Sequence, residues 1–207
     1  MRQVIISDTG KAILSNGNAS VYQDGAVPPA FRELTGIAFD GAFHYETPYR
    51  LRGSDTLKFS YSASVPCNVI GCYSGSTSTP NYSYYHTNAS TGVYLRYGTN
   101  LARPRVNNGT TYTIEVTPTG ATGFSTPQTW NADTFEVAGD LFVGMLDNST
   151  SARMQGNMYG RIEVVGRMLL VPVERIADGA IGYLDLYSER LFLKTGTGTP
   201  VALGYVS

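Results

Sequence analysis

Apolar and polar residues alternate along several segments of this chain, and this alternation limits the folds that the chain can adopt. In residues 57–63 (LKFSYSA), every second residue is apolar. A period of two places those side chains on one face of a β-strand and the polar ones on the other. The pattern recurs in residues 93–97, 112–116 and 161–165, whereas residues 140–146 (DLFVGML) are apolar on both faces, as in a central strand.

Turn-forming residues separate these segments. Glycine, proline, asparagine and serine are concentrated in NNGT at 107, TPTGATG at 117, DNSTS at 147 and TGTGTP at 195. These residue types adopt positive φ angles or cap the backbone. No segment keeps an apolar stripe of helical spacing over three turns. We therefore expect an all-β chain that folds as an antiparallel β-sandwich or barrel, and its 207 residues suit one such domain.

The first 30 residues differ from the rest of the chain. They contain the short apolar runs VII and AIL, then NGNAS, and then DGAVPPA at 24–30. The proline pair has no backbone N–H to donate to a sheet, and it stiffens the chain. The sequence predicts an N-terminal arm over residues 1–30, which we expect to dock onto other proteins, and a main domain over residues 31–207.

Charge and hydropathy argue against two classes of partner. The formal net charge is −1, and lysine and arginine do not form the clusters that nucleic-acid binding requires. The longest apolar runs, such as residues 168–173, are too short to span a bilayer, and residues 1–11 (MRQVIISDTGK) lack the features of a signal peptide. We expect assembly in a cytoplasm, without nucleic-acid binding or membrane insertion.

Cys67 and Cys72 are the two cysteines of the chain. On a continuous strand, residues five apart point to opposite faces and cannot form a disulfide. We interpret both as reduced, partly buried thiols, the usual state in a protein assembled in the cytosol. Because the two histidines are distant in sequence, a zinc site is not expected, and we predict neither a metal nor a cofactor.

The C-terminal third carries motifs that resemble a known family. The motifs are YGRIEV at 159–164, Pro172, Arg175, DGAIGYLD at 178–185, Phe192 and GTG at 196–198. This order resembles the closing strands of concanavalin A-like, laminin-G-like jelly-roll domains, which occur in phage virion proteins and bacterial surface proteins.

Two further segments agree with that resemblance. Residues 34–64 look like the opening strand pair of the family, although HYET at 44–47 departs from its usual wording. LDLYSERLFL at 184–193 reads as two alternating runs around a four-residue connection, Tyr-Ser-Glu-Arg. The resemblance covers residues 31–205 and implies a concanavalin A-like jelly roll.

Because this fold also hosts glycoside hydrolases, carboxylates need separate attention. Those enzymes place two carboxylates on one strand face as nucleophile and acid/base. Here Glu163 stands alone in RIEVV, and Asp185 and Glu189 flank a turn. We interpret these three as solvated turn and edge charges. Motifs of serine hydrolases, zinc peptidases and P-loop proteins are also missing, so we predict no catalytic residue and do not expect an enzyme.

Calcium is a separate question, because laminin-G-like domains often bind it through loop carboxylates. Five loop acids would have to meet in space: Asp40, Asp55, Asp133, Asp147 and Asp178. No dense D-x-D-x-D loop supports such a site. We interpret each acid as a single residue that caps the backbone.

Trp130 and His44 each allow two interpretations. Trp130, the one tryptophan, would stack on a sugar ring if it were exposed, or would close the edge of the core. His44 would donate a hydrogen bond to a ligand, or would be hydrogen-bonded within the protein.

The tyrosine-rich segment 81–97 (NYSYYHTNASTGVYLRY) predicts a hairpin with TNASTG at 87–92 as its connection. In that register one face carries the core residues Tyr82, Tyr84, His86, Val93, Leu95 and Tyr97. The solvent face carries Ser83, Tyr85, Tyr94 and Arg96. The last three residues form a cluster suited to sugar stacking, or a cross-strand aromatic pair covered by an arginine stem that binds nothing.

The function that we expect follows from the resemblance and from this cluster. We expect a non-catalytic phage virion protein, in a fibre or on the capsid surface, whose lectin-like domain recognises host-surface glycans. The ligand-binding residues would be Tyr85, Tyr94, Arg96 and Trp130. The alternative is a purely structural decoration or fibre-base protein, and a glycoside hydrolase relative is a third. As repeated virion proteins commonly are, the chain is expected to be a homo-oligomer.

Overall fold

The structure is a computed structural model that describes residues 25–72, 81–86, 92–137, 139–145 and 153–207, together with the backbone of residues 13–15 and 18–20. All regular structure in these residues is β-strand. No helix of the length and apolar character that a membrane crossing needs occurs in them. Two antiparallel sheets pack together as a β-sandwich, so the predicted all-β antiparallel sandwich is confirmed.

The strands are numbered in chain order: β1 (Ile13–Ser15), β2 (Asn18–Ser20), β3 (Phe31–Glu33), β4 (Gly36–Asp40), β5 (Phe43–Thr47), β6 (Leu57–Ala63), β7 (Cys67–Cys72), β8 (Asn81–His86), β9 (Val93–Gly98), β10 (Asn100–Ala102), β11 (Tyr112–Thr117), β12 (Gly120–Thr122), β13 (Gln128–Thr129), β14 (Leu141–Val143), β15 (Gln155–Val164), β16 (Met168–Arg175), β17 (Ile181–Asp185), β18 (Arg190–Leu193), β19 (Thr195–Gly196) and β20 (Val201–Ala202).

Two sheets contain all of these strands except β1 and β2, which pair with each other. The smaller sheet has the order β10-β9-β8-β7-β14-β5-β19. The larger sheet has the order β13-β12-β11-β6-β15-β16-β17-β18, and β3, β4 and β20 pair beside that path. As the apolar run at 140–146 predicts, β14 lies centrally, between β7 and β5, and all three of its residues are buried.

Aromatic side chains from both sheets fill the core between them. Tyr61 of β6 reaches across to β8, where its hydroxyl lies 3.0 Å from the Tyr84 hydroxyl and 3.0 Å from His86 Nδ1. The Phe59 and Tyr84 rings meet edge to face with centroids 5.0 Å apart. Such hydroxyl pairing satisfies polar groups that would otherwise be costly to bury. The sandwich is thus joined by a buried network of tyrosine and histidine as well as by apolar packing.

Residues 25–30 pack against the larger sheet. The Gly25 carbonyl accepts a hydrogen bond from Arg161 at 2.9 Å, and the Ala30 carbonyl accepts one from Ile176 N at 3.0 Å. Val27 packs against a small cluster formed by Val171, Val173 and Leu184. The last part of the predicted arm therefore contributes to a second apolar layer, whereas most of residues 1–24 lie outside the described residues.

A β-bulge in β7 corrects the prediction for the cysteines. The register of β7 against β8 shifts between Asn68 and Ile70. Cys67 consequently pairs with His86 and Cys72 pairs with Tyr82, and both partners point into the core. The extra residue of a bulge reverses the alternation that a continuous strand would keep, so the cysteines share one face. Both are free and fully buried, and burial raises the pKa of Cys67 to about 11 and that of Cys72 to about 12.

The hairpin between β17 and β18 also differs from the prediction. Asp185 pairs with Arg190, so the four-residue connection is 186–189 (LYSE), one position earlier than Tyr-Ser-Glu-Arg. Asp185 is fully buried rather than solvated. Its carboxylate accepts hydrogen bonds from the Tyr49 hydroxyl, Leu169 N and both donors of Ser188. The prediction that this acid is a solvated turn charge was wrong, because the tight turn needs a buried acceptor for its backbone donors.

Candidate functional site

The register of the tyrosine hairpin is the one that the sequence predicts. β8 pairs with β9 so that Tyr82 faces Tyr97, Tyr84 faces Leu95, Tyr85 faces Tyr94 and His86 faces Val93. The predicted core face is buried at all six positions, namely Tyr82, Tyr84, His86, Val93, Leu95 and Tyr97. The connection 87–91 lies outside the described residues. The two-face assignment is confirmed.

The opposite face of this hairpin gathers two tyrosines and two arginines. The Tyr85 and Tyr94 rings lie side by side with centroids 6.4 Å apart. Arg103, which follows β10, places its guanidinium carbon 4.6 Å from the centre of the Tyr94 ring. Arg96 lies opposite Ser83 on one side and Leu101 on the other. We call Tyr85, Tyr94, Arg96 and Arg103 the tyrosine–arginine face.

The position of these strands at one edge of the smaller sheet keeps this face accessible. Tyr94 has 36% of its surface exposed, and Arg103 is exposed as well. Further along the same outer surface, Asn68 of β7 and Phe142 of β14 are buried. The outer surface next to β8, at Asn68 and Phe142, is thus covered, whereas the part formed by β9 and β10 exposes Tyr94 and Leu101.

Arg103 was missed by the sequence analysis, although a signal for it was present. Gly98, with φ of 61°, begins a tight connection to β10, which pairs with β9 through residues 100–102. Glycine is the residue that adopts such angles without strain. Residues 101–103 (LAR) alternate in the same sense as β9, which places Arg103 on the outer side with Leu101. Strand β10 thus positions Arg103, which joins Arg96 as the second arginine of the tyrosine–arginine face.

Trp130 lies beside this face rather than on it. It lines an open cleft of about 750 Å³ between the edge strands β10 and β13, together with residues 100–103, 128–129 and Asn131. Its ring stacks on Tyr97 with centroids 5.6 Å apart, and its Nε1 donates to the Pro118 carbonyl at 3.1 Å. The indole therefore closes the edge of the core, and its remaining surface lines the cleft.

Arg103 connects the two features, because it covers Tyr94 and also lines the cleft. The side-chain amides of Asn100, Gln128 and Asn131 also line the cleft, and those of Asn100 and Gln128 each donate one hydrogen bond to a backbone carbonyl. Amide groups and planar rings at one opening are the groups with which proteins orient sugar hydroxyls and ring faces. The tyrosine–arginine face and the cleft are therefore neighbouring parts of one surface.

The loop acids cap the backbone, as predicted, where the structure describes them. Asp40 accepts from Ala42 N and Thr199 N, and Asp55 accepts from Arg52 N while it pairs with Arg167. Asp133 accepts from Thr99 and Asp178 accepts from Ala180 N. Asp147 lies outside the described residues. Within the described residues, no three His, Cys, Asp or Glu side chains come together in an arrangement that could hold a metal ion.

Glu163 has an ion-pair partner. Lys58 Nζ of β6 lies 4.0 Å from Glu163 of β15 and 3.7 Å from Glu115 of β11. The three residues are cross-strand neighbours on the outer surface of the larger sheet. A lysine between two carboxylates on an open sheet surface forms a charge ladder, which stabilises strand pairing modestly.

His44 is neither a surface donor nor hydrogen-bonded. Its ring is 1% exposed and contacts the Phe142 ring at 5.7 Å. Both ring nitrogens lack a hydrogen-bond partner among the residues that the structure describes. Burial, with a smaller contribution from the charge of Arg153, lowers the pKa of His44. The described residues therefore do not bear out the expectation of a hydrogen-bonded histidine, and the ring packs here as an apolar group would.

Comparisons of the sequence with protein-family models and with curated proteins found no match.

Proposed function

We propose that this chain is a non-catalytic virion protein whose β-sandwich binds host-surface glycans through the tyrosine–arginine face. The observation that carries the glycan part is a pair of adjacent tyrosine rings on an exposed sheet surface, with the Arg103 guanidinium over one ring and Arg96 on the same face. Aromatic rings stack on the apolar faces of sugars, and guanidinium groups donate hydrogen bonds to their oxygens. The neighbouring cleft with Trp130 extends the surface over which a chain of sugars would lie.

The virion part of the proposal, and the assignment to the concanavalin A-like jelly rolls, are supported by the resemblance of residues 159–198. The location in a phage fibre or on a capsid surface comes from the same source. A homo-oligomer fits this role, because repeated weak sites act together with a far higher effective affinity than one site alone.

One observation favours a structural role as a second candidate. Four apolar side chains near the C-terminus are exposed: Val201, Leu203, Tyr205 and Val206. Exposed apolar groups that lie close together often mark a protein interface. A decoration or fibre-base protein would use such a surface against its neighbours, with no glycan ligand.

Substitution of Tyr94 separates the two candidates. We expect Tyr94→Ala to lower the affinity for a bound host glycan by about tenfold or more, because this exposed ring lies between Tyr85 and the Arg103 guanidinium. The measurement is a glycan array followed by titration of the purified protein. Tyr187→Ala, which removes an exposed tyrosine from the β17–β18 turn, is the matched control and should leave binding unchanged.

Three outcomes of that experiment would contradict the proposal. If no host polysaccharide binds, the structural candidate is favoured. If Tyr94→Ala and Tyr187→Ala lower the glycan affinity equally, the tyrosine–arginine face is not the binding site. Turnover of a polysaccharide that survives purification and falls in Glu163→Gln would overturn the non-catalytic part.

Truncation of the N-terminal arm tests the proposed docking role of that arm. Deletion of residues 1–24 should leave stability unchanged and remove incorporation into particles. Deletion of residues 1–30 should in addition lower the free energy of unfolding by about 1 kcal/mol, because Val27 leaves its apolar cluster. Thermal unfolding and particle incorporation, measured on both truncations, check this prediction. If the chain that lacks residues 1–30 is still incorporated into particles, the arm is excluded as a docking element.

A further inference from the structure

The distribution of acidic residues around the tyrosine–arginine face is uneven. Between Asp55 and Glu115 the sequence contains no aspartate or glutamate, although this stretch contains Arg96, Arg103 and Arg105. It supplies β7, β8, β9 and β10, which are neighbours in the smaller sheet. One half of that sheet therefore carries charge of a single sign.

The arginines of this half also differ from most others in their partners. Six arginines elsewhere form ion pairs with carboxylates: Arg32, Arg50, Arg52, Arg161, Arg167 and Arg175. In the part of the chain that the structure describes, Arg96, Arg103 and Arg105 have no such pair. An arginine fork matches a carboxylate or another oxyanion with two parallel hydrogen bonds. The guanidinium groups beside Tyr94 are thus left with donors to offer.

Two acids that the structure describes bear on this face: Asp133 is already engaged, and Glu46 lies far away. Asp133 lies beside the end of β9, where its carboxylate accepts hydrogen bonds from both the backbone N–H and the hydroxyl of Thr99. Glu46 of β5 shares the outer surface of the same sheet but lies four strands from β9, which is about 19 Å at the usual strand spacing. Neither acid forms an ion pair with the arginines of the face, so among the described residues no carboxylate offsets the positive charge of this half of the sheet, although the formal net charge of the chain is −1.

We infer that the glycan bound at this face is an acidic polysaccharide, whose anionic groups pair with Arg96 and Arg103 while its rings stack on Tyr94 and Tyr85. This inference rests on the proposed function and specifies its ligand. The tyrosines provide flat apolar area, and the unpaired guanidinium groups select for charge. Arg103 joins the tyrosine–arginine face to the cleft, because its guanidinium covers Tyr94 and its side chain also lines the cleft.

The test is a titration of the full-length protein with four polymers at low and at physiological salt. Polygalacturonate carries carboxylates, dextran sulfate carries sulfates, dextran is neutral, and single-stranded oligothymidine is a nucleic acid of comparable charge. Arg96→Gln and Arg103→Gln are compared with Arg190→Gln. Arg190 is the matched control, since it is exposed on the other sheet and its guanidinium carbon lies 5.4 Å from the centre of the Phe192 ring.

We expect an anionic polysaccharide to bind, with an affinity that falls about tenfold or more in each of the two face variants and stays unchanged in Arg190→Gln. Binding should weaken as salt rises. The relative affinities of polygalacturonate and dextran sulfate identify the anionic group, and either order supports the inference.

Three results would overturn the inference. Binding of dextran that depends on Tyr94 and is insensitive to both arginine variants would refute the acidic ligand and leave the proposed glycan site intact. Tighter binding of oligothymidine than of any polysaccharide would assign the face to nucleic acid. Failure of both anionic polysaccharides to bind would overturn the inference, and the array of host glycans would then decide the proposed function by itself.

Discussion

Asp185→Ala should lower the free energy of unfolding by about 3 kcal/mol or more, because several buried donors lose their acceptor at once. The Asp185 carboxylate accepts hydrogen bonds from Tyr49, Leu169 and Ser188, and it lies fully inside the protein. These donors come from the β5–β6 connection, from β16 and from the β17–β18 turn. Alanine would leave them without this acceptor inside the protein. Urea denaturation followed by circular dichroism measures the loss.

Asp185→Asn is the control, because it keeps one acceptor oxygen and nearly the same volume. We expect an intermediate loss in this variant. A loss below about 1 kcal/mol in Asp185→Ala would show that the donors find other partners.

The same carboxylate should make stability depend on pH in acid. Burial acts to raise the pKa of Asp185, but hydrogen bonds from Ser188, Tyr49 and Leu169 outweigh it, so the pKa lies below its ordinary value of 3.8. Because the folded state binds the proton less readily than the unfolded state, the stabilisation is present above pH 3.8 and is lost as the pH falls below it. The acid limb of the stability curve should be shallower in Asp185→Asn.

Tyr84→Ala and Tyr85→Ala, two adjacent substitutions of the same residue type, should differ sharply in effect. Tyr84 is fully buried, meets Phe59 edge to face and shares a hydrogen bond with Tyr61, so its removal should cost about 3–5 kcal/mol. Tyr85 points to the outer surface and has one ring neighbour, Tyr94, so its loss should cost at most about 1 kcal/mol. Thermal and urea unfolding of both variants measure the difference.

Tyr84→Phe divides the larger effect into its parts. It keeps the ring and removes the hydroxyl, and it should cost about 1 kcal/mol because the Tyr61 hydroxyl still has His86 nearby. Equal losses for Tyr84→Ala and Tyr85→Ala would mean that β8 does not separate the two rings onto opposite faces.

The sequence predicted the faces of the tyrosine hairpin because both of its strands are regular. Apolar residues with a period of two identify the core face, and the connection length determines the register. The residues of the candidate site that lie on regular strands, Tyr85, Tyr94 and Arg96, were therefore placed correctly. Arg103 was missed because the short strand β10 is recognisable mainly through its pairing with β9.

The other errors arise where local pattern is overridden by tertiary contacts. A bulge adds one residue without any marker in CNVIGC, so the faces of Cys67 and Cys72 could not be derived from their spacing. The buried state of Asp185 depends on Tyr49, which is far away in sequence, and the buried state of His44 depends on Phe142. Residue type alone favours exposure for an aspartate and hydrogen bonding for a histidine.

The bulge in β7 has a practical consequence for labelling. Both native thiols are enclosed in the core, and burial keeps their pKa values at about 11 and about 12, so little thiolate forms near neutral pH. A cysteine introduced at Ser83, next to Arg96, would therefore be the one thiol in the folded chain that alkylating dyes reach readily. A fluorophore attached there would report on ligand arrival at the tyrosine–arginine face without prior removal of either native cysteine.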